Sequence, residues 1–305
     1  MLKYNLAFIS RYAYIVKRCF MATDISKRIS NVFPSLSKGH KKLATAIIND
    51  YDKVTDLTAA RLGSMVGVSE STVVRFAAVL GYEGYSEFQN AISELVRTRL
   101  TPAQRIEITK KRIGRGDIID AVMEADIDKI RHTYNTLDRD TFYKSVEEIL
   151  SAKTIYITAA RSTEPLARVL SYNLSLIFDN VRFVNPTSSA EVFEQMFSIS
   201  EEDLLIAFTF PRYSSKIVKA VKYARQKNAK VLGFTDSKTS PLAEYSNYLI
   251  VAQSDMASFM DSLVAPLSII NAIIVEITRR KERAITARFD ALEKIWDEYD
   301  VYTKR

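Results

Sequence analysis

Two short stretches of the chain combine hydroxyl side chains with an arginine, a combination suited to binding an anion. Residues 159–163 read A-A-R-S-T, and residues 209–216 read T-F-P-R-Y-S-S-K. Hydroxyls and backbone N–H groups donate hydrogen bonds to anionic oxygens, and a guanidinium binds two oxygens at once. The candidate ligand-binding residues are Arg161, Ser162, Thr163, Thr209, Arg212, Tyr213, Ser214 and Ser215. Routine capping of helix N-termini by Ser and Thr is the other role open to these hydroxyls.

A third polar stretch, S-E-S-T at residues 69–72, follows a small-residue turn and opens an apolar run. Gly67 suits a left-handed turn and Ser69 suits a helix N-cap, so the pattern predicts two helices that meet at a tight corner. Short or polar side chains at the start of the second helix leave room for the major groove of DNA, and an arginine there reaches guanine or phosphate. The candidate DNA-binding residues are Ser69, Glu70, Ser71, Thr72 and Arg75. A purely structural corner is the alternative.

The elements that hold these residues change in type along the chain. From residue 25 to about residue 100, apolar residues recur every three or four positions, which predicts a bundle of helices. Residues 97–116 carry seven Lys and Arg against one Glu and are punctuated by Pro102, Gly114 and Gly116, which is typical of a basic linker.

After residue 117, short β-rich runs alternate with helical patterns. The runs are 154–159, 181–184, 204–208, 230–235 and 248–252. Strands that are apolar throughout and separated by helices predict a five-stranded, doubly wound parallel sheet covered on both faces. A long helix over 260–279 and a terminal helix over 282–299 are expected to follow. In such sheets, ligands bind at the carboxyl ends of the strands, where both anion-binding candidates begin.

Composition limits the class of protein. The 305 residues are 47% apolar and 26% charged, which suits a folded chain of two domains. A formal charge of +7 is compatible with a nucleic acid partner. Cys19 is the single cysteine of the sequence, so an internal disulfide is excluded and too few thiols remain for a structural zinc site.

The first twenty residues contain no apolar run long enough to span a bilayer and no cleavage site of a secretory signal. Because a more typical opening begins at Met21, we interpret residues 1–20 as an extension of uncertain status. A short amphipathic helix at a membrane surface is the other reading of this segment.

The stretch TAARLGSMVGVSESTVVRFAAVLGYEGYSEFQ resembles the N-terminal helix-turn-helix of RpiR/MurR-type bacterial transcription regulators, over residues 25–99. The sheet region is similar to the sugar isomerase (SIS) domain that follows it in that family, notably at KVLGFTDSKTSPLAE and SFMDSLVAPLSIINAI. The resemblance implies an α/β protein with five parts: the extension 1–20, an all-α helix-turn-helix bundle at 21–100, a basic linker at 101–125, a SIS domain at 126–282 and a C-terminal helix at 283–305.

The resemblance places Thr163 where the first-loop serine of the SIS fold lies, and Thr209 and Ser214 on the outer hydroxyls of its S-x-S-G-x-T loop. Two departures stand out. Ala159 and Arg161 replace first-loop glycines, and Pro211 and Arg212 replace the middle serine and glycine of the second loop. These changes are expected to remove backbone freedom and add two cations, which leaves a more acidic or smaller anion as an alternative to the usual phosphosugar.

The implied function is regulation of transcription in the cytoplasm. The implied partners are a double-stranded DNA operator and a small anionic effector, a phosphosugar or related acid, in a homodimer or homotetramer with no cofactor, metal or membrane. SIS folds also occur in aldose–ketose isomerases, which need a general base. His40, His132, Glu191 and Glu194 offer no good candidate, so no catalytic residue is predicted. An isomerase with an accessory helical domain is the alternative.

Overall fold

The computed structural model describes residues 25–49, 54, 57–113, 116–185, 188–256 and 258–303. The predicted extension at 1–20 lies outside these residues. The chain divides into two compact units, Met1–Ile108 and Thr109–Arg305, and each is considered by itself.

The first unit is helical, as its apolar spacing predicts. Its helices are α1 (Ile25–Val32), α2 (Lys38–Asn49), α3 (Ala59–Val66), α4 (Glu70–Val79) and α5 (Tyr85–Arg99), and α6 (Pro102–Ile113) crosses into the second unit. The apolar positions of the repeat, among them Ile29, Leu43, Leu62, Phe76 and Phe88, are fully buried.

Helix α6 occupies most of the segment that the sequence predicts as a basic linker. Its start is a capping box, because Thr101 Oγ1 accepts from the Gln104 N–H at 3.3 Å and Gln104 Oε1 accepts from the Thr101 N–H at 2.9 Å. Pro102 stands at the first helical position, where a missing N–H costs nothing. The T-P-A-Q motif is therefore the signal for a helix that composition alone obscures.

The corner between α3 and α4 has the predicted geometry. Gly67 adopts φ 71°, and the N–H of Val68 reaches back to the Gly63 carbonyl at 2.9 Å. A Cβ on Gly63 would lie 2.8 Å from the Val68 oxygen, so only glycine fits there. Ser69 caps α4 by accepting from the Thr72 N–H at 3.3 Å. The two helices are thus held at a fixed angle by backbone contacts.

Tyr82 and Tyr85, which follow α4, take part in contacts that hold α3 and α4 in place. Arg28 is buried on α1, donates to the Leu80 carbonyl at 3.0 Å and stacks over the Tyr82 ring at 4.7 Å. A cation at this place also suits the negative end of the α4 dipole. Tyr85 donates to the Leu57 carbonyl, just before α3, at 2.6 Å. Burial raises the pKa of the Tyr85 hydroxyl.

The second unit is the predicted doubly wound parallel sheet. The strands β1 (Ile155–Ala159), β2 (Val181–Val184), β3 (Leu204–Phe208), β4 (Lys230–Thr235) and β5 (Tyr248–Val251) pair in the order β2-β1-β3-β4-β5. All four pairings are parallel. The helices are α7 (Ile118–Thr136), α8 (Arg139–Ser151), α9 (Glu164–Ile177), α10 (Ser189–Gln195), α11 (Ser215–Gln226), α12 (Val264–Arg280) and α13 (Glu282–Glu298).

Alternate residues of the central strands enter two separate cores. Ile155 and Ile157 of β1 face a core shared with α8, α9 and α12, whereas Tyr156 faces a core shared with α10 and α11. Tyr248 of β5 also donates to Glu148 of α8 at 2.7 Å. This hydrogen bond, together with burial, raises the pKa of Tyr248 to about 12. Helices on both faces leave the strand ends as the exposed part of the sheet.

The long helix after β5 starts later than predicted, at Val264 rather than at residue 260. Residues before it are held as a loop, since Ser254 Oγ donates to the Ser262 carbonyl at 3.0 Å and the Ser262 N–H donates to the Asp255 carbonyl at 2.8 Å. Apolar periodicity does not reveal such loop hydrogen bonds, which compete with the helix.

Arg28→Met is expected to lower the free energy of unfolding by about 2 kcal/mol, because the buried Leu80 carbonyl loses its donor. Lys27→Met on the exposed side of the same helix is the control and should change it little. Urea unfolding followed by circular dichroism measures both. Equal midpoints for the two variants would contradict a capping role for Arg28.

Candidate functional site

The first turn of α4 presents a polar face. Ser69, Glu70, Ser71 and Arg75 are exposed and Thr72 is half-buried. Val73 and Phe76, on the opposite side of the helix, are fully buried. All five predicted residues therefore lie at one exposed end of this helix, and their contact with DNA stays a prediction.

Hydrogen bonds between its own residues fix the side chains of this turn without a bound partner. Ser69 Oγ lies 3.0 Å from Ser71 Oγ and 2.8 Å from Thr72 Oγ1. Arg75 donates from Nε to the Ser71 carbonyl at 3.2 Å and from Nη2 to the Ser71 hydroxyl at 3.3 Å. The Arg75 guanidinium therefore lies along the helix and points toward its N-terminus. Because its side chain is already ordered, Arg75 loses less conformational entropy when it binds a partner.

Sequence reasoning missed the start of α2, which lies beside this turn. A Cβ on Gly39 would be 3.5 Å from Thr72 Cγ2 and 3.6 Å from Val68 Cγ1. Lys38 and Lys42 are exposed on the same helix. The run S-K-G-H-K-K, a helix start rich in cations, is the signal that could have found this surface.

The two anion-binding candidates come together because their strands are neighbours. In the parallel register of β1 and β3, Ala159 pairs with Phe208, so the loops that follow both strands open at the same edge of the sheet. Arg161 and Arg212, one in each loop, are exposed. This edge therefore carries two guanidiniums.

Both arginines have a left-handed backbone. Arg161 adopts φ 61° and Arg212 adopts φ 62°. The resemblance to SIS domains leads us to expect that the replaced glycines cost these loops their backbone freedom. The two loops nevertheless keep a backbone conformation that glycine prefers. Holding an arginine in this conformation costs about 1–2 kcal/mol at each position. Strain of this kind concentrates at functional sites.

The hydroxyls divide into two groups. Thr163 and Thr209 are buried and brace their own loops: Thr163 Oγ1 donates to the Ala160 carbonyl at 2.9 Å, and Thr209 Oγ1 accepts from the Ser214 N–H at 2.9 Å. Ser162 and Ser215 are exposed and Ser214 is half-buried. The hydroxyl groups that a ligand can reach are therefore those of the serines, whereas the threonine hydroxyls stabilise the loop conformations.

Helix α11, which follows the second loop, has no side-chain cap at its N-terminus. Ser214 occupies the N-cap of α11 without a side-chain capping bond, whereas Ser69, Asp117, Asp138 and Ser188 cap α4, α7, α8 and α10. The first N–H groups of α11 lack intrahelical acceptors and carry the positive end of the dipole, which favours an anion.

An aspartate of the neighbouring strand also supports this loop. Tyr213 donates to Asp236 Oδ1 at 2.9 Å, and Asp236 is buried at the carboxyl end of β4. The contact ties the residue after Arg212 to the same edge of the sheet. Sequence reasoning missed Asp236, although its place directly after an apolar strand is the signal that could have found it.

Comparison with known proteins assigns the two halves of the chain. Residues 23–98 match the helix-turn-helix domain of the rpiR family, and residues 148–276 match the SIS domain. The chain belongs to the RpiR family of helix-turn-helix transcription regulators. Among its relatives, an "Uncharacterized HTH-type transcriptional regulator" of Haemophilus influenzae is 25% identical over 232 residues, which is 75% of this chain and 79% of that protein. One from Thermotoga maritima is 23% identical over 271 residues, covering 86% and 94%.

Two solved structures share the fold of this chain. The Vibrio vulnificus NanR protein complexed with ManNAc-6P is 20% identical, with a TM-score of 0.57, over 91% of this chain and 99% of that one. The sugar isomerase domain of an RpiR transcription factor from Sphaerobacter thermophilus is 21% identical, with a TM-score of 0.55, over 57% and 97%. Across the described residues, no helix combines the length and apolar character that a membrane span requires.

Replacing either loop arginine by glycine tests the backbone strain. For Arg161→Gly and Arg212→Gly we expect a free energy of unfolding that is unchanged or raised by up to about 1 kcal/mol, since relief of the left-handed penalty is partly offset by the flexibility of glycine in the unfolded chain. Asn228→Gly, at φ 63° after α11, is the matched control. Thermal unfolding checks this, and a marked loss at Arg161 or Arg212 alone would contradict it.

Proposed function

We propose that this RpiR protein regulates transcription by binding a double-stranded DNA operator with an affinity set by a phosphosugar in its SIS domain. The observation that carries the proposal is the pair of left-handed arginines at one sheet edge, beside the N-terminus of α11, which no side chain caps. A helix-turn-helix on the same chain supplies the DNA-binding half.

On the DNA side, α4 enters the major groove with its first turn. Ser71 and Thr72 are small enough for close approach, and Arg75 donates to guanine O6 and N7. Glu70 accepts from a cytosine amino group. Lys38, at the adjacent start of α2, contacts a backbone phosphate, which positions the helix without reading sequence.

On the effector side, the phosphate lies on the N-terminus of α11 and accepts from Ser214 and Ser215. Arg161 and Arg212 add two positive charges, which match the charge of about −2 that a phosphate monoester carries at pH 7. The NanR relative is described with ManNAc-6P, which supports a phosphorylated sugar as the ligand class.

Effector and DNA influence each other through linkage. If each prefers a different arrangement of the protein, binding of one changes the affinity for the other by the same factor. We place this regulator in the cytoplasm as a homo-oligomer that needs no cofactor or membrane. We do not assign it catalysis, because Glu191, Glu194 and His132 are exposed helix residues and His40 packs 5.4 Å from the Phe76 ring in the helical unit.

Arg75→Ala is expected to weaken binding to the selected operator about 10- to 100-fold, the worth of one bidentate base contact, and to leave random duplex almost unaffected. Lys38→Ala should weaken both duplexes alike and reduce the salt dependence. Fluorescence anisotropy on an operator obtained by selection from random DNA measures both. If Arg75→Ala lowered the affinity for the two duplexes equally, Arg75 would contact phosphate and not a base.

Arg212→Ala and Ser214→Ala are expected to abolish the response to the effector while operator binding persists. A thermal-shift screen of phosphosugars on the wild-type protein identifies the effector, because a ligand raises stability by mass action. Lys222→Ala, exposed further along α11, is the control and should respond like the wild type. Unchanged responses in both loop variants would place the ligand elsewhere, and turnover of a phosphosugar would favour the isomerase alternative.

A further inference from the structure

Helix α7 buries polar residues and exposes apolar ones, which is the reverse of an ordinary surface helix. Its two buried residues are Lys129 and Thr133. Ile119, Met123, Ile127, Ile130 and Tyr134, in contrast, are between 38% and 72% exposed. These five residues are called the α7 stripe below. Water-facing apolar residues on one side of a helix mark a surface that is covered by something else.

Polar contacts hold α7 in this orientation. Lys129 Nζ donates to the Ala125 carbonyl at 3.0 Å and lies 3.3 Å from Asp126 Oδ1. Asp126 Oδ1 also accepts from Ser262 Oγ at 2.7 Å, and Thr133 Oγ1 accepts from the Gln253 N–H at 2.8 Å. The polar face is therefore the one bound to the loop before α12, which fixes the stripe outward.

The spacing of the stripe residues is nearly the same when it is read from either end of the helix. Its positions are separated by four, four, three and four residues, so they are nearly symmetric about the middle of the helix, next to Ile127. In an antiparallel pair, Ile119 of one helix lies opposite Tyr134 of the other, and Met123 lies opposite Ile130. Every apolar residue of the stripe then has an apolar partner.

Charges beside the stripe also match in the antiparallel sense. Asp120, Glu124 and Arg131 are exposed and, at 100° per residue, lie along the same flank of α7. In an antiparallel pair this flank faces its own reversed copy, which brings Arg131 opposite Asp120 and Glu124 twice over. Arg131 lies 2.8 Å from Asp128 of its own helix in an exposed ion pair, which it exchanges for Asp120 and Glu124 of the second copy when the helices pair.

The exposed area is sufficient for a pair. The α7 stripe leaves on the order of 500 Å² accessible, at the upper end of what monomers leave open. Together with flanking side chains it approaches the roughly 800 Å² per partner that a stable interface buries. A two-fold axis also makes one patch self-complementary, which is the simplest closed assembly.

We propose that the α7 stripe binds a second copy of this chain, with two α7 helices packed antiparallel about a two-fold axis near Ile127. This identifies the surface through which the proposed homo-oligomer forms. It does not depend on the DNA or effector proposals, since neither α4 nor the anion site takes part.

Disulfide cross-linking tests the arrangement in the full chain with Cys19→Ser. Ile127→Cys should form an intermolecular disulfide on mild oxidation, because the two Cα atoms meet near the axis. Ile119→Cys should not, since antiparallel packing holds its two copies roughly 20 Å apart. Phe197→Cys, 75% exposed outside α7, is a further control. Cross-linking through Ile119→Cys, or none through Ile127→Cys, overturns the proposal.

Charge reversal tests the partner independently by sedimentation velocity. Glu124→Arg and Arg131→Glu should each weaken the dimer about tenfold, and the double variant should restore most of the lost affinity, because residues 124 and 131 again carry opposite charges across the axis while only Asp120 faces a like charge. Circular dichroism and the thermal midpoint check that each variant is folded. A wild-type protein that sediments as a monomer at micromolar concentration, or a dimer that none of these changes affects, contradicts the proposal.

Discussion

The parallel register of β1 and β3 is the constraint on which the proposed anion site depends. Because Ala159 and Phe208 end their strands side by side, two loops that are about fifty residues apart in sequence open at one edge. Helices cover both faces of the sheet, so this edge is where a ligand reaches the backbone of two elements at once. The arginine in each loop then adds charge to a place where helix α11 already supplies a positive dipole.

The helix starts of the described residues differ in whether a side chain caps them. Helices α7, α8 and α10 begin with an aspartate or serine side chain that satisfies their N-terminal donors. Helix α11 begins with a serine that does not, although serine is an excellent cap. Helix α4 combines both properties, since Ser69 caps it while Ser71 and Arg75 stay exposed. An exposed helix start is therefore available on each unit, and we propose that one contacts DNA bases and the other an anion.

The proposed dimer interface and the proposed recognition surfaces are different parts of the same chain. The α7 stripe is apolar and rigidly oriented by contacts of its polar face. The α4 turn and the sheet edge are polar and strongly charged. A regulator needs this separation, because a ligand that prefers one arrangement of subunits can alter DNA affinity without competing for the DNA surface.

The sequence by itself determined the helical bundle, the five strands and the corner at Gly67, because periodicity, apolar runs and a left-handed turn are local properties. It also placed hydroxyls and arginines after β1 and β3. Only the tertiary structure decided the left-handed backbone at Arg161 and Arg212, the contact of Tyr213 with Asp236, and which face of α7 stays open. Ser262 and Gln253 hold α7 from 136 and 120 residues away, and no local pattern encodes partners so distant along the chain.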